Sequence, residues 1–177
     1  ILYNSEQTKR TTEEIFPEAK SIANVNAYII SNPVKKQWDN KDDDYFLYVG
    51  NMEKRKGVDL LIKGYLQYKS RGGKKKLILG GKMQEEEINQ IVRSAMMLDE
   101  DITYLDYVTH DKKHELYASM SAFVFPSKAE GFGMPIIEVM RFKKPIIASN
   151  LPIFDEITDG NINTFNIRCN EYEQINN

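Results

Sequence analysis

The sequence predicts an α/β fold, a parallel sheet with helices on both faces, on three observations. From Tyr45 onward, short apolar β-favouring runs alternate with segments of helical periodicity, the pattern of a sheet covered on both sides. The run Ser121-Ala122-Phe123-Val124-Phe125 is ended by Pro126, as expected of a buried strand. The stretch Ser127-Lys128-Ala129-Glu130-Gly131-Phe132-Gly133-Met134-Pro135-Ile136-Ile137-Glu138 then joins that strand to a helix through a loop with two glycines.

Taken in order, the chain opens on Ile1-Leu2-Tyr3, a strand-like run, so it reads as a piece beginning in mid-strand. A polar helical stretch follows from about Glu6 to Ile15, then an apolar run Ala27–Ile30 that ends in Ser31-Asn32-Pro33. Residues 34–44 have Trp38 as their only large apolar side chain and are too polar to bury well, as a linker would be. Six strands are predicted beyond it: Phe46–Val49, Leu77–Leu79, Ile102–Leu105, Ala122–Phe125, Pro145–Ala148 and Thr164–Ile167. Helices are predicted near Val58–Ser70, Glu85–Met97, Lys112–Ser119 and Pro135–Phe142, with a shorter turn at Phe154–Thr158. The stripes Leu61, Tyr65, Leu66 and Ile88, Ile91, Val92, Ala95 have helical spacing and read as core, not as ligand contacts.

Composition excludes several function classes. A chain of 177 residues has room for one domain, or one domain and part of another. Its 24 basic and 26 acidic residues leave no basic surplus for a nucleic-acid partner. Lys74-Lys75-Lys76 reads as a solvated start to a strand. One cysteine, Cys169, rules out an internal disulfide framework and fits a reducing compartment. No apolar run approaches a membrane span and the start lacks the order of a signal peptide, so the chain reads as soluble and cytoplasmic. A peripheral membrane contact through sequence outside this chain stays open.

In open parallel sheets ligands sit beyond the carboxyl ends of the strands, so the loops after strands carry the functional expectations. Gly50-Asn51-Met52-Glu53-Lys54-Arg55-Lys56-Gly57 packs three cations between two glycines ahead of a helix, a composition suited to a diphosphate. Gly80-Gly81-Lys82 lacks the first glycine and the Ser/Thr of a Walker loop and reads equally as a plain turn. His110 and His114 have no Cys or carboxylate partner at metal-ligand spacing and read as surface residues. Pro135 suits a first helical position, which aims the amides of Phe132, Gly133 and Met134 at the loop as an anion-favouring helix mouth. Glu130 lies in that loop and Glu138 in about the first turn of the helix, with seven residues between them.

The segment Glu130-Gly131-Phe132-Gly133-Met134-Pro135-Ile136-Ile137-Glu138, with the strand and Pro-Ser ahead of it, resembles the signature of the retaining GT-B glycosyltransferases of the glycosyl transferases group 1 family. The resemblance is strong from Tyr45 to about Asp159 and weaker before. It implies that residues 45–177 are a Rossmann-like donor-binding C-terminal domain, truncated at its end, after a 1–33 remnant of the N-terminal domain and a 34–44 linker. It implies transfer of a hexose from a nucleoside-diphosphate sugar to an acceptor hydroxyl with retention, in glycan biosynthesis. The acceptor would be a glycan, a lipid or another hydroxyl compound, met through the N-terminal domain.

The resemblance also assigns residues. Glu130 would contact the transferring sugar, Glu138 the ribose hydroxyls, and Lys56 the diphosphate. Gly50 opens the diphosphate loop, but Asn51 stands where the family usually has Arg, with Arg55 near enough in sequence to substitute in part. Backbone near Val108 would hold the nucleobase, and amides at Phe132, Gly133 and Met134 would face the donor. No cofactor and no metal are expected, since Asp42-Asp43-Asp44 precedes its strand and lies at the wrong edge of the sheet. The isolated chain is expected to bind donor without transferring sugar. Two rivals remain at this stage: a nucleotide-sugar-binding module without activity, and an epimerase or phosphorylase of the same architecture. The donor's base and sugar and the acceptor are not legible.

Overall fold

A computed structural model describes residues 2–17, 23–24 and 42–167. The expected strand Ala27–Ile30, most of the linker, Trp38 and Cys169 lie outside these residues. At the amino end, β1 (Leu2–Tyr3) pairs in parallel with β2 (Ala23–Asn24). Between them in sequence lies α1 (Glu6–Ile15). Its Ser5 cap accepts a hydrogen bond from the Thr8 amide at 3.0 Å.

The main sheet has six parallel strands: β3 (Tyr45–Val49), β4 (Lys76–Gly80), β5 (Ile102–Leu105), β6 (Ala122–Phe125), β7 (Ile146–Ser149) and β8 (Asn163–Phe165). The helices are α2 (Val58–Ser70), α3 (Glu86–Leu98), α4 (His110–Ser119), α5 (Met134–Met140) and α6 (Pro152–Thr158). Leu47 and Tyr48 are sequence neighbours on β3, so they point to opposite faces, and both are fully buried. The sheet is therefore covered on both faces at its centre, as the apolar runs predict. Tyr65 and Leu61 on α2, and Ile88, Val92 and Ala95 on α3, are core residues, as their spacing predicts.

Some boundaries differ from expectation for local reasons. Gly133 caps α5 in a left-handed conformation (φ 88°), so Met134 is the first helical residue and Pro135 the second, where its missing N–H still leaves no hydrogen bond unmade. Glu138 consequently sits beyond the first turn. The helix expected from Lys112 begins at His110 because the Thr109 hydroxyl accepts from the Lys112 amide and caps it. The turn expected from Phe154 begins at Pro152, a proline in its favoured early position. The last strand pairs through Asn163–Phe165, not Thr164–Ile167.

Strand order is β5-β4-β3-β6-β7-β8. The chain builds outward from β3 in one direction, then returns to its other side with β6 and builds outward again. The crevice where an α/β sheet binds ligands opens at such a reversal. Here it is flanked by the loops after β3 and β6. Gly57, at the end of the first loop, has φ 71°, and a Cβ on it would lie 2.0 Å from the Pro126 carbonyl oxygen in the second. A single turn of 3-10 helix, Lys54–Lys56, leads into this point.

Only glycine satisfies both conditions at position 57. Gly57→Ala should therefore destabilise the protein, by about 1–3 kcal/mol for the left-handed backbone alone and more for the collision. Gly64, exposed inside α2 with nothing within 4 Å of an added Cβ, is the control. Gly64→Ala should stabilise by roughly 0.5–1 kcal/mol. Urea unfolding of the two variants checks this, and similar effects at both sites would refute the close-approach account.

Candidate functional site

The two loops at the sheet's reversal are tied by their backbones before any side chain is considered. The Lys128 amide donates to the Arg55 carbonyl at 2.8 Å. The Ser149 hydroxyl, from the end of β7, donates to the Ser127 carbonyl, and Ser127 is itself buried. Tyr48, fully buried on β3, donates to the Asn51 carbonyl at 2.8 Å and so fixes the start of the first loop. Burial, and after it the nearby carboxylates of Glu130 and Glu53, raises the Tyr48 phenol far above its ordinary pKa, so it remains a donor.

On this frame Lys56 and Glu130, 74 residues apart in sequence, meet: Lys56 Nζ lies 2.6 Å from Glu130 Oε1. Their side chains are 15% and 9% exposed, and the ammonium also lies 5.9 Å from the Phe125 ring centroid. A second pair lies beside it, Lys128 Nζ on Asp59 Oδ2 at 3.1 Å, with Lys128 9% exposed. The other oxygen of Asp59 is buried without a partner among the described residues.

The other expected residues fall into distinct places. Arg55 donates from Nη1 to the Ala129 carbonyl at 2.8 Å and pairs with Glu53 at 3.2 Å, so it braces the second loop. Asn51 is exposed. The Gly50 amide donates to the Gly80 carbonyl at 2.9 Å. Gly81, at φ 136°, passes so near Gly50 that a Cβ would lie 2.0 Å from the Gly50 carbonyl oxygen. That contact explains a glycine at 81 without a ligand. Val108 is half-buried over Gly80. Gly133 is buried, Phe132 half-buried and Met134 exposed.

Glu138 does not join the Lys56–Glu130 pair. Its carboxylate faces α4, where Lys113 Nζ lies 2.8 Å from each oxygen and the Tyr117 hydroxyl donates to Oε2 at 3.1 Å. The neighbouring His114 is buried, contrary to the surface expectation, because its face of α4 packs on the Phe142 ring, 5.6 Å between centroids. Burial, followed by His110 and Lys113, lowers its pKa and favours the neutral ring.

Residues 31–177 match the family described as Glycosyl transferases group 1. The chain belongs to that family. It is 32% identical over 127 residues to the O-antigen chain mannosyltransferase B of Escherichia coli, a match covering 71% of this chain and 33% of that protein. It is 27% identical over 154 residues to the O-antigen chain mannosyltransferase RfbU of Salmonella typhimurium, covering 85% of this chain and 43% of that one. The chain thus spans less than half the length of these relatives. In fold it resembles a mutant of S. aureus TarM solved with fondaparinux, alpha-GlcNAc-glycerol and UDP, at TM-score 0.73 and 17% identity over 94% of this chain and 34% of that one. It also resembles Anabaena HepE solved with UDP and glucose, at TM-score 0.59 and 20% identity over 76% of this chain and 40% of that one.

Within this glycosyltransferase domain, sequence reasoning missed Lys113, Tyr117, Lys128 and Asp59. Lys113 and Tyr117 are four apart on α4 and so share a face, the one local signal available for them. Among the described residues there is no group of three His, Cys, Asp or Glu placed to hold a metal ion. Nor is any helix among them long and apolar enough to cross a membrane.

A charge pair this enclosed is costly to split and cheap to remove whole. Lys56→Met should lower stability by about 2–4 kcal/mol, while Lys56→Met with Glu130→Gln should recover a large part of the loss. Additive losses in a denaturation double-mutant cycle would show that the pair does not form in solution.

Proposed function

We propose that the chain is the donor-binding part of a retaining hexosyltransferase, which moves a hexose from a nucleoside-diphosphate sugar to an acceptor hydroxyl. The observation that carries this reading is the Lys56–Glu130 pair at the sheet's reversal point, in a chain of the glycosyl transferases group 1 family. In this reading residues 45–177 form the donor domain, 34–44 a linker and 1–33 part of the acceptor-side domain. The UDP and UDP-glucose complexes of the structural neighbours support a nucleotide sugar as substrate. A lone cysteine and a nucleotide-sugar donor support a reaction in the cytoplasm.

The bond from the anomeric carbon to the diphosphate oxygen breaks, and the acceptor oxygen bonds to the same face of that carbon. The acceptor's proton passes to the departing diphosphate. Charge grows on that leaving group and positive character on the sugar ring. Lys56 meets the first and the Glu130 carboxylate the second, each already fixed and largely out of water. The pair is neutral before substrate arrives, so the diphosphate draws Lys56 partly away from Glu130 and frees the carboxylate toward the sugar. Glu130 acts through its charge and hydrogen bonds, not as a covalent nucleophile. Glu138 accepts from the ribose hydroxyls. Lys56 and the loop amides neutralise the diphosphate without a metal ion.

A second reading, a nucleotide-sugar-binding module without activity, is favoured by one feature. Asn51 replaces the family's usual Arg, and Arg55 is turned to the Ala129 carbonyl. Incubating the full-length protein with radiolabelled donor and candidate acceptors separates the two, since the first predicts labelled acceptor of unchanged anomeric configuration and the second none.

Glu138→Ala should weaken calorimetric binding of the nucleoside diphosphate by about 1.5–3 kcal/mol. Unchanged affinity would remove the ribose role. EDTA should leave that affinity as it is, and rescue of a lost affinity by magnesium or manganese would show the phosphate site to be misassigned.

A further inference from the structure

Glu138 is held from α4 by two donors on one helical face. A carboxylate on the end of two rotatable carbons would ordinarily sample many orientations, and here it does not have that freedom. Lys113 Nζ, 2.8 Å from both oxygens, pins the plane of the group, and the Tyr117 hydroxyl at 3.1 Å on Oε2 fixes which oxygen is turned inward. Lys113 and Glu138 are each 19% exposed, and Tyr117 is fully buried. Burial, and then the Glu138 charge, keeps the Tyr117 phenol protonated, so it can only donate here. A carboxylate has about four acceptor sites, and these contacts fill three, leaving the open one on Oε1.

We propose that Lys113, assisted by Tyr117, is a positioning residue that presents Glu138 Oε1 to the ribose diol and so makes the site selective for ribonucleotide over deoxyribonucleotide donors. The inference rests on the reading of Glu138 as the ribose acceptor. Lys113 keeps the carboxylate aimed, and an aimed acceptor gains more from a neutral diol than a mobile one, because no side-chain freedom is lost when the hydroxyls arrive. In this arrangement Lys113 works through Glu138 and does not touch the diphosphate or the base.

The test uses the full-length protein, titrated calorimetrically with UDP or GDP, whichever it binds, and with the 2′,3′-dideoxy form of the same nucleotide. Wild-type protein should prefer the ribonucleotide by roughly tenfold or more, the value of one hydrogen bond to a charged group. Lys113→Met should shrink that preference to within roughly threefold while leaving the dideoxy affinity unchanged. Lys113→Arg should restore most of it. Tyr117→Phe removes a single hydroxyl, keeps the fold independent of the lysine change, and should reduce the preference by a smaller factor.

Equal loss of both nucleotides in Lys113→Met would overturn the inference, since it would mark a direct phosphate or base contact. Unchanged or tighter ribonucleotide binding would overturn it too, the latter because Lys113 would then be a competitor for Glu138. A wild-type protein with no preference would sink the ribose role of Glu138 and this inference with it. A wild-type preference that survives in both Lys113→Met and Tyr117→Phe would sink the inference alone.

Discussion

Everything at the candidate site depends on one backbone contact, the passage of Gly57 against the Pro126 carbonyl. That contact brings the loop after β3 and the loop after β6 to touching distance at the point where the sheet reverses its direction of growth. Once they touch, the Lys128 amide reaches the Arg55 carbonyl and the Arg55 guanidinium reaches the Ala129 carbonyl. The side chains that follow have little choice of partner. Lys56 falls on Glu130, and Lys128 on Asp59. Two cations and two carboxylates in a partly dehydrated crevice would be unstable as isolated charges, and they persist because the backbone geometry supplies each with an opposite charge.

The two glutamates of the motif, though only seven residues separate them, occupy different electrostatic settings. Glu130 is on a loop and faces a lysine from another strand's loop. Glu138 is on a helix and is fixed by two donors from a neighbouring helix, one of them a buried phenol that cannot leave without disturbing the core. In the proposed function the first pairing gives way in part to the diphosphate, while the second holds its carboxylate in place for the ribose. The Phe142 side chain packs against the rings of both His114 and Tyr117 on α4.

The fold was legible because its signals are local. Apolar runs of strand length, stripes of helical spacing and the glycine–proline loop depend on near neighbours in sequence, and they name six strands and five of the helices to within a few residues. The misplaced starts have local causes: the Thr109 hydroxyl caps α4 so that it begins two residues before the expected Lys112, and Pro152 takes the first helical position of α6 two residues before the expected Phe154. Strand order had no such signal, and the site depends on it. The Gly-Phe-Gly motif pointed to Glu130 and the cation cluster to Lys56, but only the return of β6 beside β3 makes them partners. Arg55, expected near a diphosphate, is spent on a carbonyl because its guanidinium fork reaches Ala129 from a 3-10 turn. His114 is buried by its contact with Phe142, 28 residues on, which no local signal announces.

The loop that carries Glu130 is held from the amino-terminal side as well. The Ser5 and Thr8 hydroxyls of α1 both donate to the Gly131 carbonyl, at 3.2 and 2.9 Å, and the α1 amides of Glu6 and Gln7 donate to the Glu156 carboxylate on α6. A carboxylate at a helix start meets both the unpaired amides and the positive end of the helix dipole, so Glu156 orients α1 as well as binding it. Gly131 is thus pulled toward α1 while Gly133, two residues on, is buried against Phe154 of α6. The peptide units between them can rotate only if one of these anchors yields. Glu130 is joined to Gly131 directly, so a shift of α1 relative to the sheet bears on the carboxylate that pairs with Lys56. In this arrangement the amino-terminal segment meets the sheet domain at two places, the Gly131 carbonyl beside Glu130 and the Glu156 carboxylate on α6.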